Sequence, residues 1–282
     1  MMDAGAIERI LVTAATGKTG RRVADRLEEM GYEVRRGSRR AGVAFDWQDS
    51  GTWAAALAGM DAAYVVYSPD LAVPEAPEAM RLFGRMAAEA GVRRLVLLSG
   101  RGEAEAQKSE RIIAEAGPEW TVVRASWFNQ NFSEGAFVEQ VLGGTVALPV
   151  GDVREPFIDV DDIADVAVAA LTEDGHAGKV YEVTGPELLT FAEAVAVIAE
   201  VTGRDVGFVE ISGEAFREGL EAQRVPSGMI GLLEFLFTEV LDGRNASVAH
   251  GVREALGRGP GRFEDYVKRV AAEGAWGEAV AS

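Results

Sequence analysis

Residues 10–40, ILVTAATGKTGRRVADRLEEMGYEVRRGSRR, constrain the fold of this chain more than any other stretch. They open on an apolar run, Ile10, Leu11 and Val12, of the kind a buried strand carries. A turn of small residues follows at 13–20, and then Val23, Leu27 and Met30 recur at helical spacing until Gly31 stops the helix. Residues 32–36 read as a second strand. Strand, tight turn, helix and strand in about thirty residues make a βαβ unit. A turn of this kind suits a diphosphate, which has to lie against the free N–H groups and positive end of a helix. Side chains would hold the diphosphate away, so Gly17 lets the backbone approach, and Gly20 lets the helix pack closely on the strand. Where a three-glycine pattern has its first glycine, this chain has Ala14, which fits if the turn keeps a negative φ there. Thr13, Ala14, Thr16, Gly17, Lys18, Thr19 and Gly20 are the candidates for holding a dinucleotide pyrophosphate. Lys18 is also read as a solvated lysine.

The second strand runs into Arg35, Arg36, Gly37, Ser38, Arg39 and Arg40, four arginines in six residues of a chain whose net charge is −17. The adenosine ribose lies at this strand end. An acid there accepts the 2′-OH of NAD, whereas arginine accommodates the 2′-phosphate of NADP. Ser38 and Arg39 are the candidates for that phosphate, so NADPH is expected over NADH; the bland alternative is a solvated basic loop. Residues 43–45 read as a short third strand ending in Asp46 and Trp47. Those two residues either receive and cover the adenine or are a turn aspartate beside a core tryptophan.

Further along, residues 52–57 read as a helix, 62–67 as a strand ended by Ser68 and Pro69, and an amphipathic helix runs to Gly91. Residues 94–98, ended by Ser99 and Gly100, and residues 120–123 read as two more strands. Alternation at this spacing predicts an α/β fold, a Rossmann-type doubly wound parallel sheet with helices on both faces. Ligands of such sheets lie beyond the carboxyl ends of the strands. That rule makes Tyr67, Ser68 and Ser99 candidates for the cofactor's reactive end, with Ser126, Trp127, Phe128 and Asn131 bordering a substrate pocket. Core packing explains Trp127 and Phe128 equally well. Residues 157–160 read as a short strand, with Asp161 or Asp162 capping the helix at 163–171, and residues 180–183 as a last strand. Thr190-Phe191-Ala192-Glu193 is a capping box. Residues 1–150 are expected to form the dinucleotide-binding domain, with 157–185 returning to it, and residues 186–282 a smaller, mostly helical lobe. In that lobe residues 229–237 line a pocket or form a core helix.

The strongly acidic charge argues against nucleic acid, which needs a basic surface. With no cysteine there are no disulfides and no thiol chemistry, and two histidines far apart argue against a metal site. His176 reads as part of a surface turn. No run suggests a secretory signal or a membrane span, so the expectation is a cytoplasmic monomer or homodimer acting on a small molecule.

Several segments in order, VTAATGKTGR, FDWQDSGTWAAAL, RRLVLLS, WTVVRASWFNQNFSE, FIDVDDIADVAVAALT and VYEVTGPELLTFAEAVAVI, resemble the NmrA-like branch of the atypical short-chain dehydrogenase/reductases. FDW, WFNQNFS and GPELLTF are similar to the ergot-alkaloid reductases, festuclavine synthase and agroclavine dehydrogenase. The resemblance implies a reductase using NADPH on an iminium or conjugated carbonyl substrate. Some NmrA-like proteins instead sense the NADP redox state and bind a protein partner. Typical short-chain dehydrogenases pair a tyrosine with a lysine four residues later. None of Tyr32, Tyr64, Tyr67, Tyr181 and Tyr266 has one. Ketone reduction leaves an alkoxide that needs a proton, whereas an iminium ion becomes a neutral amine by taking hydride alone. Related benzylic ether reductases carry a functional lysine in the region of Lys108, which is a candidate acid here. Glu105, three residues before it, offers a surface ion pair instead, and Glu110 reads as solvated.

Overall fold

The computed structural model of the chain describes residues 6–135 and 137–277. Its contacts divide the chain into two units: Met1–Ala125, Asp161–Val183 and His250–Arg258 in the first, Ser126–Val160, Thr184–Ala249 and Gly259–Ser282 in the second. The opening segment of the first unit ends at Ala125.

The first unit is built on a parallel sheet of six strands: β1 (Arg9–Val12), β2 (Glu33–Arg36), β3 (Ala62–Val65), β4 (Arg94–Gly100), β5 (Glu119–Ala125) and β6 (Lys179–Val183). Their order is β2-β1-β3-β4-β5-β6. The helices between them are α1 (Lys18–Glu29), α2 (Trp53–Leu57), α3 (Ala76–Glu89), α4 (Ala104–Ala114) and α5 (Val160–Thr172). A strand followed by a helix returns parallel, and β1 and β3 are apolar enough to be covered on both faces; Ile10, Leu11, Val12 and all of β3 are fully buried. The chain winds first from β1 to β2 and then back past β1 to β3, so the strand order reverses between β1 and β3. Such a reversal opens a crevice beyond the carboxyl ends of the strands. Helix α1 turns Thr19, Gly20, Val23, Ala24 and Leu27 inward. It ends where Gly31 takes φ +90°, with the Tyr32 N–H donating to the Leu27 carbonyl.

Some local readings are revised. Residues 43–45 form no strand; they touch the segment after β2 only through a Ser38–Ala44 bridge, and Val43 and Ala44 are exposed. Strand β4 runs through Ser99 and Gly100 instead of ending before them. Residues 157–160 make a single bridge, Ile158 to Phe128, and α5 already begins at Val160. Asp161 and Asp162 therefore lie in its first turn and do not cap it. Asp161 accepts from Arg22 at 3.2 Å and Arg26 at 2.7 Å, and Asp162 from Arg258 at 2.6 Å.

In the second unit Thr145–Leu148 pairs in parallel with Gly207–Glu210, and Arg154–Glu155 pairs antiparallel with Leu189–Thr190. Short strands thus follow β6, which is the last of the main sheet but not of the chain. The helix Phe191–Thr202 starts on the expected capping box, the Thr190 hydroxyl accepting from the Glu193 N–H at 3.0 Å. Its buried face meets Phe132, Phe137, Phe157, Phe237 and Phe263 in an aromatic core. Each such ring contributes about 1.5–3 kcal/mol by leaving water. Residues 229–237 divide between the two readings: Ile230 and Phe237 are buried, while Met229 is half-buried and Gly231 exposed.

Candidate active site

The turn after β1 is held by its own backbone. The Thr13 hydroxyl, fully buried, donates to the Tyr64 carbonyl at 3.1 Å and accepts the Val66 N–H at 2.7 Å, which pins β1 to β3 and occupies Thr13 structurally. The Gly17 N–H donates to the Ala14 carbonyl at 2.8 Å. Ala14 takes φ +47°, which corrects the expectation of a negative φ. The left-handed turn aims that carbonyl at Gly17 and Gly20, and alanine bears a cost of about 1–2 kcal/mol for it. A Cβ on Gly20 would stand 2.3 Å from the Ala14 oxygen, so only glycine lets α1 start this close to the turn. No side chain caps the N-terminus of α1 and no acid lies in its first turn. Its leading N–H groups have no acceptor inside the helix and face the end where an anion is stabilised. Thr16 and Gly17 are exposed, Lys18 is half-buried and Thr19 is buried. A pyrophosphate fits this cradle through backbone N–H groups.

The arginine segment splits in two. Arg36 pairs with Asp25 at 2.5 Å and Glu28 at 2.8 Å, and those hydrogen bonds hold its guanidinium firmly protonated. Arg35 donates to the carbonyls of Ala55, Ala56 and Ala58 at the end of α2. Arg39 and Arg40 are exposed and, among the described residues, have no ion-pair partner. With half-buried Ser38 they are the groups free to meet a 2′-phosphate; Arg40 was not singled out by the sequence. The Asp46 carboxylate accepts the Gln48 N–H at 3.0 Å. The Trp47 indole donates to the Val66 carbonyl at 2.8 Å, and its ring packs on Phe45, Trp53, Tyr67 and Phe83, so it serves the core.

At the carboxyl ends of β3 and β4, Tyr67 is buried in that aromatic cluster, and burial raises its hydroxyl pKa. Ser68 is exposed and precedes Pro69 through a cis bond. Ser99 is buried, its hydroxyl donating to Glu110 at 2.7 Å, which withdraws it from the cofactor's reactive end. Glu110 is buried too, contrary to the solvated reading, because Arg124 on β5 meets it at 2.5 Å. Arg124 also reaches Glu182 at 2.8 Å, and Arg101 joins at 3.2 Å. Burial alone would raise the Glu182 pKa, but Arg124 and Arg101 hold it below the usual carboxylate range. Lys108 is exposed on α4 and makes the surface ion pair with Glu105 at 2.5 Å.

Sequence reading missed a second pair of carboxyl groups here. Glu103, just before α4, is buried, and a Cβ on Gly100 would stand 2.0 Å from its Oε1. Asp70, half-buried in the loop after β3, is the charged group that acts on it most. Burial, and then the mutual charge, pushes the Glu103 carboxyl well up; burial also raises Asp70.

Within the second unit, Ser126 is buried. Trp127 packs on Phe137, Phe191 and Phe237, the core alternative. Phe128 and Asn131 are half-buried around the short turn Asn129–Asn131. Gln130 fixes that turn, giving a hydrogen bond to Asp159 at 2.6 Å and taking one from the Val160 N–H at 2.9 Å. His176, read as a surface-turn residue, is buried in the first unit with Nδ1 2.8 Å from the Tyr181 hydroxyl. Among the described residues no group of three or more His, Asp or Glu side chains converges as a metal site does.

A family model described as the NmrA-like family matches residues 7–266. The chain is 34% identical to a (4-alkanoyl-5-oxo-2,5-dihydrofuran-3-yl)methyl phosphate reductase of Streptomyces griseus, over 91% of this chain and 96% of that one. It is 31% identical to an agroclavine dehydrogenase of Claviceps fusiformis, over 92% and 96%. Its fold resembles an NADPH-dependent quinone oxidoreductase of Escherichia coli solved with NADPH, at a TM-score of 0.74 and 20% identity, covering 93% of this chain and 99% of that one.

Proposed function

The chain belongs to the NmrA-like family, and we propose that it is an NADPH-dependent reductase delivering hydride to a small, hydrophobic, cyclic substrate, an iminium ion or a conjugated carbonyl compound. The observation that carries this reading is the turn at the head of α1. Gly20 admits the helix against the Ala14 carbonyl, and the helix start is left uncapped, which suits a pyrophosphate. When bound, NADPH supplies the hydride. Gly17, Thr19 and Gly20 hold the pyrophosphate, Ser38 and Arg39 with Arg40 the 2′-phosphate, and Asp46 borders the adenine. The relatives support the chemistry by their names: one reduces a 5-oxo-2,5-dihydrofuran, one is a dehydrogenase of agroclavine.

The tyrosines support a mechanism without the tyrosine–lysine pair. Tyr64 and Tyr266 are buried, which raises both hydroxyl pKa values, and Tyr181 is engaged by His176. Catalysis then rests on positioning and on exclusion of water. The test is a calorimetric titration with NADPH and NADH, followed by NADPH oxidation against cyclic imines, enones and quinones. Tighter binding of NADPH and turnover of one class are expected. Binding without turnover of any class, together with a protein partner, would replace the reductase by a redox sensor.

A further inference from the structure

The turn that follows β5 is built inside out. Asn129 and Gln130 are fully buried, while Phe128 and Asn131 beside them are only half-buried. Burying amides and leaving a phenyl ring partly in water reverses what stability alone selects. Neither amide atom of Asn129 has a hydrogen-bond partner among the described residues, a further cost to folding. The shape of this turn is therefore imposed, and what imposes it is a chain of side chains. Gln130 is held at both ends: its Nε2 donates to Asp159 Oδ1 at 2.6 Å, and its Oε1 accepts the Val160 N–H at 2.9 Å. The other oxygen of buried Asp159 accepts from Arg269 at 2.7 Å. Arg269 stands on the helix Phe263–Ala272, far along the chain. The same end of the chain reaches the turn twice more, the Tyr266 hydroxyl donating to the Ser133 Oγ at 2.6 Å and the Trp276 indole to the Phe132 carbonyl at 2.8 Å. A buried polar network with its members bonded fixes one arrangement of the elements it joins.

We propose that Gln130, Asp159 and Arg269 are positioning residues of the reductase: the Arg269–Asp159–Gln130 chain sets the turn so that Phe128 and Asn131 hold the substrate in register for hydride transfer. The inference rests on the reductase reading, in which Phe128 and Asn131 border the substrate beyond the carboxyl end of β5. Gln130 and Asp159 are buried and act through the turn, without touching substrate themselves. Misplacing a reacting group by about 1 Å costs on the order of 10²-fold in rate, so a slackened turn is read in kcat. The pyrophosphate seat at the head of α1 uses none of the three residues, so cofactor affinity is left as it was.

The experiment measures NADPH oxidation with cyclohexenone, menadione and a dihydroisoquinolinium salt as probes. The proteins are wild type, Gln130→Met, Arg269→Met, Arg269→Lys and the double variant of Gln130→Met with Arg269→Met. Val267→Ala, a buried position on the same helix, is the control for lost stability, and each protein is melted and titrated with NADPH. On a probe that the wild type reduces, Gln130→Met is expected to lower kcat by about 10- to 100-fold and Arg269→Met by about tenfold, with NADPH affinity unchanged. Arg269→Lys keeps a cation against Asp159 and should recover most of the kcat. The double variant should lose no more than Gln130→Met alone, because both changes act along one chain. Val267→Ala should melt lower and keep its kcat, a separation that a purely structural role would not give. Unchanged kcat in both methionine variants, losses that multiply in the double variant, or a matching loss of kcat in Val267→Ala would each overturn the inference, while turnover by the wild type leaves the reductase reading standing. If Gln130→Met does not fold, Arg269 decides: loss with methionine and recovery with lysine support the inference, and equal kcat in the two overturns it. A wild type that binds NADPH and reduces none of the probes would overturn the reductase reading and the inference with it.

Discussion

Replacing Gly20 by alanine is the sharpest probe of the turn. The new Cβ would meet the Ala14 carbonyl oxygen at 2.3 Å, the Ala14 carbonyl carbon at 2.8 Å and the Thr13 oxygen at 3.0 Å, all backbone atoms. Ordinary contact begins at 3.4 Å, so the helix start and the turn must separate by roughly 1 Å. The turn has little freedom to move, because Ala14 is already left-handed and the Thr13 hydroxyl is tied to β3. Overpacking of this kind costs about 1–3 kcal/mol, a few degrees of melting temperature for each kcal/mol. Retreat of the N–H groups from the phosphate loses one or two charge-assisted hydrogen bonds, or roughly 10- to 100-fold in NADPH affinity. Gly17→Ala is the control: its Cβ meets the same oxygen at 3.2 Å and needs only a few tenths of an ångström. Thermal melts and fluorescence titration of NADPH on both variants decide the matter. If Gly20→Ala melts and binds as wild type does, the close approach of α1 is not what builds the seat.

Ala14→Gly relieves the positive φ and should raise stability by about 0.5–1 kcal/mol in a denaturant titration; no gain would mean the alanine is unstrained. Arg39→Ala should weaken NADPH by about tenfold or more while NADH binding changes little, and equal loss for both would place the extra phosphate elsewhere. Glu110→Gln leaves half-buried Arg124 with Glu182 as its remaining carboxylate and should cost about 1–3 kcal/mol, read as a lower melting temperature. Burial lowers the pKa of His176 below 6.5, so the unfolded chain binds the proton more readily. Stability is therefore full above pH 6.5 and declines as pH falls below it; His176→Gln should flatten that part of a melting-temperature profile, and an unchanged slope would assign it to other groups.

The glycine turn, α1 and the buried strands were legible because their signals are local: an apolar run, a helical period, a stop at Gly31. The capping box at Thr190 was legible for the same reason. What the sequence hid depends on partners brought together by the sheet. Glu110 reads as a polar residue on a charged helix, and only the pairing of β4 with β5 puts Ser99 and Arg124 against it. Glu103 and Asp70 lie in different loops, and nothing in their neighbours announces the meeting. His176 sits among turn residues, yet β6 carries Tyr181 up to its ring. Residues 43–45 have strand composition but find one bridge and no edge to join. The arginines divided in a way composition does not show, two spent on acids and carbonyls and two left at the surface.

The measurement that bears most directly on the whole account is isothermal calorimetry of the purified chain with NADPH and NADH. One binding site per chain is expected, with NADPH held at least tenfold more tightly, as a phosphate met by exposed arginines requires. Absence of heat with either nucleotide would contradict the seat at the head of α1, and with it the reductase and the sensor alike.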